Sequence, residues 1–199
     1  MEKAKVCVLV SGGGTNLQAL IDYCKNNNSN FEISLVISNN ENAYALTRAQ
    51  ENNINTLVIS NKNRAQIDFE NDIIKALDEN NIELIVLAGF MCILTEYFTS
   101  KYPKRIINVH PSLIPSFCGK GFYGLHVHEA ALKYGVKVTG ATVHFVNEIP
   151  DGGEIIMQKA VDIIPDDTPE SLQKRVMEQA EWIILPKAVD LVSSKLINN

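Results

Sequence analysis

With 199 residues, 46% hydrophobic and 21% charged, the chain can bury a sizeable core without a disulfide or metal staple, and its composition excludes collagen, coiled coil and disorder. A formal charge of -5 excludes a large electrostatic footprint for nucleic acid but leaves room for a small anion held locally. No apolar stretch reaches the roughly 20 residues of a bilayer span, and the charged start at 1–5 leads into too short an apolar run for a signal peptide, so a cytoplasmic protein with no membrane contact is expected.

From the N-terminus, Lys5 to Ser11 is a β-branched run that predicts a strand, and Thr15 to Lys25 switches to helical spacing with Leu17, Leu20, Ile21 and Cys24 on one face. The alternation recurs. Strands are predicted at 31–38, 56–60, 83–88 and 105–109, separated by helical stretches at 43–52, 64–80 and 94–101, with an Asn-rich turn at 26–30. Apolar runs separated by helices argue for an α/β fold: a mostly parallel twisted sheet with helices on both faces and ligands at the carboxyl ends of its strands. After residue 110 the character changes. A Gly- and Pro-rich loop at 110–125 leads to a helix at 127–134, then two β runs at 136–147 and 154–164 joined by the turn 148–153, which reads as an antiparallel hairpin added near the C-terminal part. A last helix opens with Thr168 as cap and Pro169 in its first turn and is predicted to run to about Leu185, stopping before Pro186. No linker divides the chain, so a single domain over 1–199 is expected. Cys7, Cys24, Cys92 and Cys118 share no C-x-x-C spacing and read as reduced thiols.

Three segments can carry chemistry. Ser11-Gly-Gly-Gly-Thr-Asn16 lies between the first strand and first helix, where unpaired helix N–H groups attract an anion. It lacks the Lys-Ser/Thr of a P-loop and the third glycine of a dinucleotide loop, so a single phosphate fits it, and a tight turn without a ligand remains the plain alternative. Asn108 and His110 lie two apart at the end of the fifth strand and so share a face. An amide donor beside an imidazole suits acyl transfer, although a lone strand-end histidine is commonly structural. Asp151 sits in Pro-Asp-Gly-Gly, which by itself is a common hairpin signal. The four histidines lie between 110 and 144 without zinc-ligand spacing, so no metal is expected.

Taken together, S-G-G-G-T-N at 11–16, A-G-F-M at 88–91, N-V-H-P-S-L-I-P at 108–115, G-x-T-V-H-F-V at 140–146 and D-G-G at 151–153 resemble the folate-dependent glycinamide ribonucleotide formyltransferases of purine biosynthesis, in that family's order and across about residues 5–188. The resemblance implies a Rossmann-like formyltransferase fold, with 1–107 as the phosphate-binding half and 108–199 as the catalytic and folate-binding half. It implies transfer of a formyl group from the cosubstrate 10-formyltetrahydrofolate to the amine of phosphoribosylglycinamide, without a metal. Asn108, His110 and Asp151 then occupy the catalytic positions; Gly14, Thr15 and Asn16 hold the substrate phosphate, with Glu181 near its ribose; Arg64, Met91, Cys92, Ile93, Leu94, Asn108 and Val146 face the folate. Asp151 is expected to raise the His110 pKa. Cys92 stands where many relatives carry Arg, and the 116–124 loop is longer than the shortest family versions. The partners implied are small molecules, with no nucleic acid; a homodimer is compatible with the sequence but not derivable from it. Rival readings are a methionyl-tRNA formyltransferase, which is expected to carry a further RNA-contacting domain, a formyltetrahydrofolate hydrolase, which is expected to carry an N-terminal regulatory domain, and a nucleotide-binding module without catalysis.

Overall fold

The computed structural model describes residues 2–26 and 28–198; Met1 at the charged start, Asn27 within the expected Asn-rich turn, and Asn199 lie outside the described residues. In chain order the elements are β1 (Ala4–Val10), α1 (Thr15–Asn26), β2 (Phe31–Ser38), α2 (Tyr44–Glu51), β3 (Asn55–Val58), α3 (Gln66–Glu79), β4 (Leu84–Leu87), α4 (Glu96–Thr99), β5 (Ile106–His110), α5 (Leu125–Tyr134), β6 (Val138–Phe145), β7 (Ile155–Asp162), α6 (Pro169–Val176) and α7 (Trp182–Ile197), with a π-helical turn at Met177–Glu181 between the last two.

One seven-stranded sheet runs in the order β3-β2-β1-β4-β5-β6-β7. Strands β1 to β5 pair in parallel, and β6 and β7 are antiparallel, forming the hairpin expected from the sequence. The order reverses at β1, which contacts β2 on one side and β4 on the other, so a crevice opens at the carboxyl ends of β1 and β4.

Strand alternation divides the core between two faces. Val6, Val8 and Val10 of β1 join Leu17, Leu20, Ala45, Val176, Leu185 and Val189 on the side of α1, α2, α6 and α7. Cys7 and Leu9 point the other way, to Phe69, Ile73, Leu77 and Phe98 of α3 and α4. In β5, Ile107 and Val109 belong to the first face and Ile106 to the second, so the two-residue period carries Asn108 and His110 along the row that starts at Ile106.

The C-terminal helices depart from the expected end at Leu185. Thr168 caps α6 with a reciprocal bond to Ser171, and Pro169 sits at the start as predicted, but helical structure continues through Pro186 to Ile197. Proline lacks the N–H that an α-ladder needs, and a wide turn placed just before it takes up the irregularity. The apolar face of α7, with Leu185, Ala188, Val189 and Val192 buried against the sheet, is what holds the continuation in place. Among the described residues no helix is long and apolar enough to cross a membrane.

Candidate active site

The loop after β1 is shaped by its carbonyls. Those of Gly12, Gly13 and Gly14 accept from Ala45 N, Arg48 Nε and Gln18 N at 3.0, 2.9 and 2.9 Å, which ties them to α2 and α1. The first N–H groups of α1 have no partner inside the helix and so remain for an anion. Gly14 has φ +72°, and a Cβ there would stand 2.6 Å from the Ala45 Cβ, so only glycine lets the loop pass this close to α2. Asn16 donates from Nδ2 to Glu181 Oε2 at 2.7 Å, and its Oδ1 is buried without a hydrogen-bond partner. Glu181 is 7% exposed; burial pushes its carboxyl up, against the opposing bond from Asn16. The π turn adds a residue to the winding ahead of Glu181, so counting at 3.6 per turn misplaces it, yet its side chain reaches the loop.

Across the crevice, Ser11 Oγ accepts from Met91 N at 2.8 Å and joins the loop after β1 to the segment after β4. On that segment Met91 and Ile93 present 61% and 68% exposed side chains, whereas Leu94 turns into the core. Cys92 is half-buried, and its Sγ accepts from Asn39 Nδ2 and Asn61 Nδ2 at 3.0 and 3.2 Å; burial raises its thiol pKa. Val146 packs against the same apolar cluster as Phe90 and Cys92. Arg64 is paired with Asp72 at 2.8 Å.

The end of β5 gathers the titrating groups. Half-buried Asn108 lies opposite His144 in the β5–β6 register, and its Nδ2 meets His144 Nε2 at 3.2 Å. The His144 Nδ1–H donates to the Phe145 carbonyl at 2.8 Å, so in the neutral ring Nε2 carries the lone pair and accepts from Asn108. His110 is buried at 4% exposure and donates from Nε2 to the Phe117 carbonyl at 2.9 Å, while its Nδ1 stands 3.5 Å from Asp151 Oδ2. The other carboxylate oxygen lies 3.6 Å from His144 Nε2. Asp151 has φ +55° in a turn pressed so close to β6 that a Cβ on Gly153 would fall 1.7 Å from the Phe145 carbonyl, and this close approach brings the acid over the two rings. Asp151 also accepts from Gly119 N at 2.8 Å, tying down the 116–124 loop.

The sequence reading expected Asp151 to raise the His110 pKa, but the net direction is down. Burial penalises the imidazolium more than Asp151 and the Phe117 carbonyl favour it, and His144 adds to the lowering. The Asp151 carboxyl resists the upward push of its own burial: His144 in its protonated form, His110 and the Gly119 N–H hold it below the usual carboxylate range. Of the residues proposed from sequence, the fold brings together Asn108, His110 and Asp151, and separately Asn16 and Glu181. His144 was missed as a site residue, although its motif was noted; the signal is its cross-strand pairing with Asn108, which only the β5–β6 register reveals. Among the described residues no cluster of His, Cys, Asp or Glu could hold a metal.

Set beside known proteins, residues 4–189 match the family Formyl transferase. A trifunctional purine biosynthetic protein adenosine-3 of Homo sapiens is 45% identical over 194 residues, covering 97% of this chain and 19% of that protein. The chain thus spans about a fifth of the length of those trifunctional relatives. A phosphoribosylglycinamide formyltransferase of Haemophilus influenzae is 41% identical over 186 residues, covering 93% of this chain and 85% of that protein. The crystal structure of phosphoribosylglycinamide formyltransferase from Anaplasma phagocytophilum superposes with a TM-score of 0.87 at 42% identity, covering 98% of this chain and 88% of that one.

Proposed function

We infer the reaction from a plain premise: the chain belongs to the Formyl transferase family. It transfers the formyl group of 10-formyltetrahydrofolate to the amine of 5'-phosphoribosylglycinamide, giving formylglycinamide ribonucleotide and tetrahydrofolate in purine biosynthesis. The observation that carries this reading is the amide, two imidazoles and one carboxylate gathered at the carboxyl end of β5. The relatives named as phosphoribosylglycinamide formyltransferases, and an anion loop sized for one phosphate, support the acceptor.

In this reading the neutral amine attacks the formyl carbon, and the carbonyl electron pair moves onto oxygen. Asn108 has two Nδ2 hydrogens; one is engaged by His144, and the other meets the developing oxyanion, an interaction typically worth about 3 kcal/mol in the transition state. The His110 Nε2–H, held by the Phe117 carbonyl in the resting protein, donates its hydrogen bond to the formyl oxygen instead as substrate takes that carbonyl's place, and the proton stays on the ring. Collapse of the tetrahedral intermediate breaks the bond to the folate N10, which recovers the electron pair and takes up a proton, while the attacking nitrogen gives one up. Asp151 stabilises His110 whenever the ring carries the positive charge. Gly14, Thr15 and Asn16 hold the phosphate, and Glu181 stands beside the ribose. Arg64, Met91, Cys92, Ile93 and Val146 form the folate wall, with Leu94 anchoring it in the core, so the folate contacts draw on both halves of a single unit over 1–199.

The test is direct. Purified protein with phosphoribosylglycinamide and 10-formyltetrahydrofolate is expected to release tetrahydrofolate and formylated ribonucleotide in equal amounts. Binding of both compounds without turnover would favour a non-catalytic module, and formate release without the ribonucleotide would assign the formyl group to water.

A further inference from the structure

We propose that Glu70 is a positioning residue for the folate side of the site, its buried carboxylate fixing the backbone that presents Met91 and Ile93. Glu70 lies on α3 and is completely buried, yet among the described residues no lysine, arginine or histidine forms an ion pair with it. A carboxylate in such a place is costly unless its oxygens find donors, and an apolar side chain would pack α3 at lower cost. Two of its donors come from Thr95 on the segment after β4, and the third comes from Gln66 on its own helix. Oε1 accepts from Thr95 N at 2.7 Å and Oε2 from Thr95 Oγ1 at 2.5 Å, while Gln66 Nε2 donates to Oε1 at 2.9 Å and to the Ile93 carbonyl at 3.1 Å. The other end of the same segment is held by the Ser11 hydroxyl on Met91 N.

Between these two anchors the chain turns Leu94 inward and leaves Met91 and Ile93 facing solvent. Two large apolar side chains held outward on a backbone pinned at both ends form a preorganised wall, which receives a flat apolar ligand without an ordering cost at binding. Glu70 supplies the C-terminal anchor from a different helix. This inference rests on the reading of residues 91–94 as the folate contact.

The experiment uses the full chain and compares Glu70→Leu, Thr95→Val, Thr95→Ser and Ile93→Ala by steady-state kinetics with both substrates and by thermal unfolding. Glu70→Leu and Thr95→Val are expected to raise the KM for 10-formyltetrahydrofolate about tenfold, with the KM for phosphoribosylglycinamide and kcat within about twofold. Thr95→Ser, which keeps the hydroxyl, is expected to restore the wild-type value, and Ile93→Ala to raise the same KM by altering the wall itself. Thr95→Val carries the test should Glu70→Leu not fold. A parallel rise in both KM values, or an unmoved folate KM in Thr95→Val while Ile93→Ala raises it, overturns the positioning role and leaves the wall standing. An unmoved folate KM in Ile93→Ala and Thr95→Val overturns the wall and the proposal together.

Discussion

The Asp151 carboxylate stands 3.5 Å from Nδ1 of His110, on the side of the ring opposite the nitrogen that donates to the Phe117 carbonyl. The imidazole is therefore faced by an acceptor at each nitrogen, an arrangement complete only when the ring is doubly protonated, while burial opposes that charge. A single acid in the 148–153 turn favours the charged form of His110, and burial outweighs it.

Asp151→Asn keeps the shape of that side chain and removes the charge that counteracts burial at His110. The ring pKa then falls further, and imidazolium becomes harder to form as charge develops on the formyl oxygen. The expected loss in kcat is about 10- to 100-fold, with both KM values within about threefold. Titration of His110 by NMR supplies the second readout: its pKa is lower in the variant than in the wild type, and an equal or higher value would show that the two groups are not coupled.

His110→Ala removes the Nε2 donor altogether while Asn108 remains bonded to His144. Turnover is expected to fall at least roughly 100-fold with the affinity for both substrates nearly intact. Single-turnover kinetics separate chemistry from product release, and an unchanged chemical step excludes His110 from the reaction.

Much of this was legible in the sequence because period-2 apolar runs and glycine turns are local signals. The glycine turn at 11–16 between β1 and α1 and the shared face of Asn108 and His110 needed only local signals: strand and helix periodicity and the glycine run. The partnership of His144 with Asn108 was not legible, because it depends on which residue of β6 falls opposite which residue of β5. Glu181 closes a π turn, Met177–Glu181, so the helical count of 3.6 per turn does not give its direction and only the fold shows that it meets Asn16. The stop expected at Pro186 followed a sound local rule that tertiary packing overrode, since Leu185, Ala188 and Val189 are buried together on the sheet. Asp151 pushes the His110 pKa up as expected, but the net direction is down because burial, which belongs to the whole fold and not to a motif, is larger.

Gly14→Ala tests the anion loop by sterics alone. The position has φ +72°, and an added Cβ would stand 2.6 Å from the Ala45 Cβ and 2.8 Å from the Ala45 Cα, leaving no flexible neighbour to yield. Strain at positive φ together with this overlap is expected to cost about 2 kcal/mol of stability and to displace the loop from α2. The KM for phosphoribosylglycinamide should rise at least about tenfold while the folate KM stays within about twofold. Equal changes in both KM values would detach the loop from the phosphate.

His128 makes the fold less stable in acid. It is fully buried on α5, and both of its ring nitrogens lack a hydrogen-bond partner, so the charged ring has nothing to replace lost water. Burial, reinforced by nearby His110, lowers its pKa from 6.5 to about 4. The unfolded chain therefore binds the proton first as pH falls. The stability this neutral ring protects is fully present above pH 6.5 and is lost progressively toward pH 4, a total of about 3 kcal/mol. His110, lowered by burial, acts with the same sign, whereas Glu181, raised by burial, gains protons in the folded state and acts against both. Comparing the wild type with His128→Leu isolates the His128 share, because the other two groups remain in each protein. Urea unfolding at pH 7.5 and pH 4.5 is expected to show the wild type losing about 2 kcal/mol more than the variant on acidification. Parallel losses in the two proteins would mean that His128 takes up its proton equally well in the folded and unfolded chain.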